Sequence, residues 1–307
     1  MIVDCHTHIW QSPEQLGSAL LGDPASLLKG NTRLGGQALQ LWRSTPSGDP
    51  DHHWAQNATV SASIVLGFKS RYLRAEIPNR FIADYVRRAP DRLIGFAGID
   101  PTDRSAIDEL RSAKVLLGLR GLTISPANQD FHPCDSRAMR LYAEADRLKM
   151  PIIIHPASAY AKASKLEFAQ PYLFDEVART FPEVRFIIAQ VGYPFVDQTI
   201  LLLSKHANVY ADISGLPGRP WAAYTTLLSA YQGGVFDKLL FGSDFPYTNA
   251  TECLEALYSL NQISHGGGLP TIPREAIRGI IERNTLPLLG LDITITPQPQ
   301  TEKKSAT

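Results

Sequence analysis

Short apolar runs alternate with longer stretches of helical periodicity through most of the chain. Short strands separated by helices of ten or more residues indicate βαβ units and therefore a parallel sheet. The eight predicted strands are Ile2–Cys5, Val60–Leu66, Leu93–Ile99, Gly121–Ile124, Pro151–His155, Val184–Ala189, Asn208–Ile213 and Lys238–Phe241. The pattern predicts an α/β fold and favours a closed (β/α)8 TIM barrel, although pattern alone leaves an open doubly wound sheet as an alternative.

Helical stretches lie between these strands, and several end at a proline. Pro90 follows the first of them and Pro182 follows the fourth, as is usual where a helix stops. The predicted helices are Pro78–Ala89, Arg104–Ala113, Ser136–Leu148, Tyr172–Phe181, Phe195–His206, Trp221–Tyr231 and Thr251–Ile263.

Two segments interrupt the alternation. Residues 10–59 form a long connection rich in Gly, Pro and Ser, and a connection of this length in a compact domain is usually functional or disordered. Its tryptophans and histidines are Trp10, Trp42, Trp54, His52 and His53. The aromatic content favours an ordered lid, in which we expect the paired histidines to be solvated. Residues 294–307 are predicted to be a disordered tail. Since no internal repeat or linker divides the rest, residues 1–293 are predicted to form one domain.

Charge and cysteine content narrow the possible functions. The 307 residues include 30 Lys and Arg and 30 Asp and Glu, so the net charge is zero and no basic cluster suggests binding to nucleic acid or anionic lipid. The 3 cysteines are far apart and odd in number, which argues against a disulfide framework and fits a reducing compartment. No apolar run reaches the ~18–20 residues of a membrane span, and the N-terminus lacks the order of a signal peptide. We expect a cytoplasmic protein that acts on a small molecule and has no nucleic-acid or membrane partner.

The strongest chemical signal is the sequence Asp4-Cys5-His6-Thr7-His8 at the end of the first strand. Because side chains alternate along a strand, Asp4, His6 and His8 are expected on one face, with Val3, Cys5 and Thr7 on the other. If that face points into a barrel, two adjacent imidazoles are costly unless a metal or hydrogen bonds occupy them. A single His-x-His match is often coincidental, so the interpretation needs further groups at the same rim.

Two later residues supply such groups. His155 ends an apolar strand and shares its parity with Ile153, and Asp244 follows the eighth strand. Catalytic groups of TIM barrels lie at the C-terminal ends of different strands. Taken singly, His155 fits a hydrogen-bonded core residue and Asp244 fits a helix cap or a turn. Together with the His-x-His pair they predict a shared site.

Asp4-x-His6-x-His8, His155 and the segment Gly242-Ser-Asp-Phe-Pro246 resemble the amidohydrolase superfamily. The resemblance is to its amidohydrolase-2 branch, which includes aminocarboxymuconate-semialdehyde decarboxylase and pyrone-dicarboxylate lactonase, and it extends to about Leu291. It implies a distorted (β/α)8 barrel that holds one divalent metal, commonly Zn2+, with Mn2+ or another ion as alternatives. The ligands that it implies are His6, His8, His155 and Asp244. Members of this branch are often homodimers, and some work without a tightly held metal.

Imidazole and carboxylate ligands suit such a metal, and a catalytic site keeps an open position for water. The resemblance therefore implies a single metal-bound water with Asp244 as general base. We expect a metal-dependent hydrolase of a small carboxylated or cyclic substrate, such as a lactone, ester or amide.

Gln190 stands where relatives carry a histidine at the end of the sixth strand. An amide can hydrogen-bond but cannot shuttle a proton near neutral pH, and without this imidazole a second metal is not expected. Aromatic-acid decarboxylases of the branch have a glutamate three residues after that histidine, where this chain has Tyr193. A nonoxidative decarboxylase (carboxy-lyase) therefore remains the alternative, and a catalytically weakened metal-binding homologue is a second one.

Further residues are candidates for substrate binding. Arg120, beside the fourth strand, could hold a carboxylate in a bidentate pair or lie at the surface. Asp212, at the end of the seventh strand, could line the pocket or cap a loop. Trp10 and Tyr160 follow ligand-bearing strands and could form its walls, although aromatic packing alone would explain both.

Overall fold

In the computed structural model, residues 1–17, 47–155 and 163–295 are described. Trp42, Tyr160 and all but the first two residues of the predicted 294–307 tail lie outside these ranges. In chain order the strands are β1 (Val3–His8), β2 (Ala62–Leu66), β3 (Lys69–Ser70), β4 (Ala75–Glu76), β5 (Leu93–Gly98), β6 (Gly121–Ile124), β7 (Ile152–Ile154), β8 (Phe186–Ile188), β9 (Val209–Asp212) and β10 (Leu239–Leu240).

Eight of these strands form one parallel sheet, and β3 and β4 form a separate antiparallel hairpin. The sheet runs in the order β1-β2-β5-β6-β7-β8-β9-β10. Apart from the β3-β4 hairpin, each strand therefore lies beside the strand that follows it in the chain. Backbone hydrogen bonds of 2.9 Å from Cys5 to Phe241 and 2.8 Å from His8 to Phe245 join the two ends of the sheet. The barrel is thus nearly closed, and the predicted TIM-barrel fold is confirmed.

Helices flank the barrel between its strands. They are α1 (Pro50–Gln56), α2 (Asn79–Val86), α3 (Ala106–Val115), α4 (Pro126–Gln129), α5 (Ser136–Arg147), α6 (Asp175–Thr180), α7 (Val196–Lys205), α8 (Pro220–Gln232), α9 (Ala250–Tyr258), α10 (Arg274–Ile281) and α11 (Thr285–Leu288). Within the described ranges, none of the helices has the length and apolar character that crossing a membrane would require.

Local sequence signals explain several helix bounds. The Asp135 side chain accepts a 2.8 Å hydrogen bond from the Arg137 N–H and so caps the start of α5. Two predicted helices are interrupted. Pro171–Phe174 and Leu260–Ser264 are 3-10 turns beside α6 and α9, in keeping with the use of such turns at helix ends.

The buried apolar residues form an inner and an outer cluster. The inner cluster fills the barrel with side chains such as Ile64, Leu66 and Ile153, and Leu286 and Leu289 pack against it. The outer cluster joins the opposite faces of the strands to the helices. This division follows from the alternation of side chains along each strand, since both faces of a parallel barrel are covered.

A bulge in β1 changes that alternation near its end. Val3 pairs with Ala62 and His8 pairs with Leu66, with a register shift between Asp4 and Thr7. Ala62 and Leu66 both belong to the inner cluster, as does Val3, so the shift places Val3 and His8 on the same side. The expectation of strict alternation, with Val3 and Cys5 on the face opposite to the histidines, was therefore wrong. One extra residue in a strand re-aims the side chains that follow it.

Residues 47–59, the described end of the predicted 10–59 connection, pack against the barrel. Within α1, His53 is fully buried and its Nδ1 lies 2.6 Å from the Tyr85 hydroxyl. Its ring makes an edge contact with Phe245 at 5.0 Å between centroids. Burial lowers the pKa of His53 to about 3, so the ring is neutral. His52 is exposed as expected, but the expectation that His53 is solvated was wrong, because α1 packs over the loop after β10.

Replacing Glu144 by Gln should destabilise the protein by about 1–2 kcal/mol at pH 7. Hydrogen bonds from Arg147 and Arg111 lower the pKa of the buried Glu144 carboxylate to about 2. Because this pKa lies below that of an unfolded glutamate, the stabilisation is complete above about pH 4.5 and is lost as the pH falls toward 2.

Urea unfolding of wild type and Glu144→Gln at several pH values tests this prediction. The exposed Glu183 provides the matched control, Glu183→Gln, which should leave the free energy of unfolding unchanged. An equal difference between wild type and Glu144→Gln at pH 7 and pH 2 would contradict the prediction.

Candidate metal centre

Three histidines converge at the C-terminal rim of the barrel. His6 and His8 end β1, and His155 directly follows β7. The centroid of the His6 ring lies 4.9 Å from that of His8 and 4.7 Å from that of His155. One ring nitrogen of each residue lies within 4.8 Å of the others, and the Nε2 atoms of His6 and His8 are 3.0 Å apart. The structure thus brings these three predicted ligands together.

Asp244 lies beside the same three rings. Its Oδ1 atom is 3.6 Å from His6 Nε2 and 3.9 Å from His8 Nε2. The backbone positions it, because the Asp244 N–H donates a 2.9 Å hydrogen bond to the His6 carbonyl. Gly242 allows this approach, since a Cβ at that position would lie 2.9 Å from the His6 Cβ. Burial raises the pKa of Asp244 to about 6.

Asp212 orients His6 rather than facing the centre. Its Oδ2 lies 2.9 Å from His6 Nδ1, while its Oδ1 accepts hydrogen bonds from Ser214 Oγ at 2.5 Å and from the Gln190 N–H at 3.0 Å. Burial raises the pKa of Asp212, but His6 and these donors lower it further, so the carboxylate is ionised. The contact assigns the proton to His6 Nδ1 and leaves the Nε2 lone pair directed at the other histidines.

Asp4 holds the first strand against the last. Its Oδ1 accepts hydrogen bonds from the backbone N–H groups of Ser243 at 2.9 Å and His6 at 3.2 Å. Burial raises the pKa of Asp4 to about 6, against the lowering effect of the Ser243 and His6 contacts. Asp4 therefore acts on the backbone that carries His6 and Asp244.

Gln190 positions the other oxygen of Asp244. Its side-chain Nε2 donates a 3.1 Å hydrogen bond to Asp244 Oδ2, which leaves Oδ1 toward the histidines. Gln190 adopts the left-handed region, with φ of 55° and ψ of 30°. Gly215 packs directly against this pair, because a Cβ there would lie 3.0 Å from Asp244 Oδ2 and 3.1 Å from Gln190 Nε2.

The donor set fits a single divalent cation. Among the described residues, buried His155 Nε2 has no hydrogen-bond partner, which is costly for a buried polar atom unless a ligand outside the chain occupies it. Burial, and after it the neighbouring His6, lower the pKa values of His8 and His155, so both offer neutral lone pairs. Burial lowers the pKa of His6 too, but Asp212 and Asp244 raise it further, so the site favours positive charge at its centre. Imidazole and carboxylate groups of this kind hold zinc or manganese.

The remaining predicted site residues are Arg120, Trp10 and Tyr160. Arg120 directly precedes β6 and is exposed, so it lies at the N-terminal end of the barrel, opposite the histidine rim. Of the two interpretations given for Arg120, the surface position fits this placement, and a contact with a substrate at the histidine rim does not. Trp10 is buried, with its ring against Gly48 and 6.2 Å from the Tyr247 ring. Tyr160 is not described.

Arg219 is a rim residue that the sequence analysis missed. It lies in the loop after β9, with its guanidinium 5.2 Å from the centroid of the Tyr193 ring. Its charge lowers the pKa of Asp244, although burial dominates and the net shift is upward. Its position after the seventh strand, on the rim where barrel sites lie, was the available signal.

Comparisons with known proteins agree with this architecture. The model of the family described as amidohydrolase matches residues 3–291. An uncharacterised TIM-barrel protein from Bordetella bronchiseptica has a TM-score of 0.68 at 20% identity, over 94% of this chain and 98% of that one. A probable 2-pyrone-4,6-dicarboxylic acid hydrolase from Acinetobacter baumannii, with citric acid bound, has a TM-score of 0.60 at 15% identity, over 94% and 99% of the two chains.

A third solved structure is a dihydroxybenzoic acid decarboxylase from Polaromonas sp. JS666 with bound manganese and the inhibitor 2-nitroresorcinol. Its TM-score is 0.60 at 16% identity, over 94% of this chain and 96% of that one. No curated protein sequence matches the chain.

The protein is therefore an eight-stranded TIM barrel whose C-terminal rim carries three histidines that could hold a metal ion. Since the family model covers nearly the whole sequence, the chain belongs to the amidohydrolase family. The predicted resemblance is confirmed.

The Asp212→Asn variant should bind a divalent cation tenfold to a hundredfold more weakly, roughly the usual effect of losing a group that orients a ligand. An asparagine amide can present its NH2 to His6 and so release the tautomer that aims Nε2 at the centre. Competition with a chelating dye for Mn2+ and Zn2+ measures the affinity. The exposed Asp237 gives the control Asp237→Asn, which should match wild type. Unchanged affinity in a folded Asp212→Asn protein would exclude this role for Asp212.

Proposed function

We propose that the protein is a hydrolase of a small carboxylated or cyclic substrate, a lactone, ester or amide, that uses one divalent metal. The observation that carries the proposal is the meeting of three imidazoles with the free oxygen of Asp244. Within the described residues, one of the imidazole nitrogens, His155 Nε2, is buried without a partner.

His6, His8, His155 and Asp244 would hold the cation, which would supply Lewis acidity and lower the pKa of a water molecule. The chain supplies the rest. Asp244 accepts the proton of the attacking water at Oδ1 and returns it to the leaving group. Gln190 restrains Asp244 by holding Oδ2 at 3.1 Å. Because the pKa of Asp244 is raised toward neutrality, the same carboxyl group is suited to both proton transfers.

For the metal we propose zinc, with manganese as the alternative. Neutral imidazoles suit zinc, while the Polaromonas decarboxylase with the same fold was crystallised with manganese. A single ion is proposed because Gln190 replaces the imidazole that a second one would need, and because one cluster of metal-binding type occurs among the described residues.

The rim favours a substrate that carries a carboxylate. Arg219 places a positive charge near Asp244, and its guanidinium lies over the Tyr193 ring. Arginine binds carboxylates through two parallel N–H groups. A carboxylate of the substrate held here would place the reacting carbonyl toward the histidines.

Decarboxylation on the same scaffold is the second candidate. The supporting observation is the raised pKa of Asp244, because a carboxyl group that is partly protonated near neutral pH can also donate a proton to carbon. Hydrolysis is preferred because it needs no imidazole at position 190. A panel of lactones, esters and amides, run beside aromatic and enoic acids, separates the two. Release of carbon dioxide from the acids, with no product from the others, would replace hydrolysis by decarboxylation.

The Asp244→Asn variant should lose about 10²–10⁴-fold in kcat/KM on any substrate that the panel identifies. The amide keeps the size of the side chain but cannot accept the proton of water. The exposed Asp197 on α7 provides the control Asp197→Asn, which should retain full activity. Steady-state kinetics in saturating metal make the comparison, and a kcat/KM within threefold of wild type would rule out Asp244 as the base.

The Arg219→Gln variant should raise KM about tenfold for a carboxylated substrate and leave KM unchanged for its methyl ester. The difference isolates recognition of the carboxylate from effects on the reacting carbonyl. The exposed Arg104 provides the control Arg104→Gln. Equal changes in KM for acid and ester would show that Arg219 does not bind the carboxylate.

A further inference from the structure

We propose a second ligand site at the N-terminal end of the barrel, where a cavity between α2 and α3 binds an organic anion with an apolar body and one carboxylate. This site is separate from the histidine rim, because it adjoins the starts of β5 and β6 and the rim lies at the ends of the strands. It goes beyond the proposed hydrolase activity and does not depend on it.

The cavity has a volume of about 470 Å3, which falls within the range of roughly 300–1,000 Å3 that small organic ligands occupy. Its walls combine aliphatic side chains with polar surface, and they come from the end of α2, the start of β5, the residues after α3 and the described end of the chain. Representative wall residues are Val86, Leu93, Leu117 and Ile293. Such walls favour the apolar part of a ligand.

Two cations that line this cavity have no charged partner among the described residues. Lys114 and Arg120 both contribute to its wall, and neither side chain forms an ion pair or hydrogen bond within the described ranges. Arg87, which also lines it, is by contrast neutralised by Asp84 at 2.5 Å. Burial, and after it the charge of Arg120, lower the pKa of Lys114, so the two cations are close enough to repel each other. One anion between them would remove that repulsion.

The mouth of the cavity is also apolar. Val115 and Leu116, at the end of α3, are 73% and 72% exposed, and both belong to the lining. Exposed aliphatic side chains beside uncompensated positive charge match a ligand that has both an apolar body and an anionic group. The fork of Arg120 suits a carboxylate, with Lys114 as a second, point-like charge.

Octanoate is a suitable probe, because it joins one carboxylate to an aliphatic chain of the right size. Calorimetric titration of the full chain, with chelator present so that no metal binds the acid, should show one octanoate per chain. Under the same conditions 1-octanol and inorganic phosphate should each bind at least tenfold more weakly, since each lacks one of the two features.

Charge removal tests the role of the two cations. Arg120→Gln and Lys114→Gln should each weaken octanoate binding at least fivefold. Arg185 directly precedes β8 at the same end of the barrel but does not line the cavity, so Arg185→Gln should bind as wild type does. Unchanged affinity in both cavity variants, no detectable binding to wild type, or equal binding of 1-octanol would overturn the proposal.

A new charge at the mouth gives an independent test. Leu116→Asp should abolish octanoate binding by neutralising the cations and blocking the mouth, while Leu201→Asp, at a 64% exposed position on α7, should not. Both positions are exposed, so both variants should fold. Light scattering of wild type and both variants tests whether this face is instead an interface between two copies of the chain. If Leu116→Asp converts a dimer to a monomer and wild type binds no octanoate, the face is an interface between copies and the ligand site is excluded.

Discussion

The closure of the barrel between its first and last strands determines the rest of the site. Backbone hydrogen bonds from the Asp244 N–H to the His6 carbonyl and from the His8 N–H to the Phe245 carbonyl carry Asp244 to the two histidines. Asp4 reinforces this seam by accepting from Ser243 and His6. Groups more than 230 residues apart in sequence are thereby held within 4 Å of each other. A looser seam would separate the carboxylate from the imidazoles and leave no common centre.

Two further polar residues, Asp212 and Gln190, hold the groups at this seam in position. Asp212 stays ionised because His6, Ser214 and the Gln190 N–H all donate to it, and it determines which nitrogen of His6 faces the centre. Gln190 does two tasks, donating its backbone N–H to Asp212 and its side-chain amide to Asp244. The amide of Gln190 cannot carry a proton near neutral pH, but it holds both carboxylates in place, which is what the proposed hydrolysis through Asp244 alone requires.

The two ends of the barrel differ in how they use charge. At the C-terminal rim, carboxylates surround the imidazoles and favour a cation. At the opposite end, Lys114 and Arg120 line a partly aliphatic cavity to which the described residues contribute no carboxylate, and this arrangement favours an anion. Catalysis in TIM barrels belongs to the first of these ends, so a ligand at the second would act through binding or stability rather than chemistry.

The sequence by itself determined the barrel and the identities of the converging groups, since strand periodicity and strand-end position are local properties. It predicted that His6, His8, His155 and Asp244 would share one rim, and the structure brings them together. Only the tertiary structure decided the parity of β1, because a bulge depends on pairing with β2. It also decided that Asp212 orients His6, because this depends on a contact between two strands that no local pattern encodes. The position of Arg120 at the far end, by contrast, already followed from the predicted strand start at Gly121.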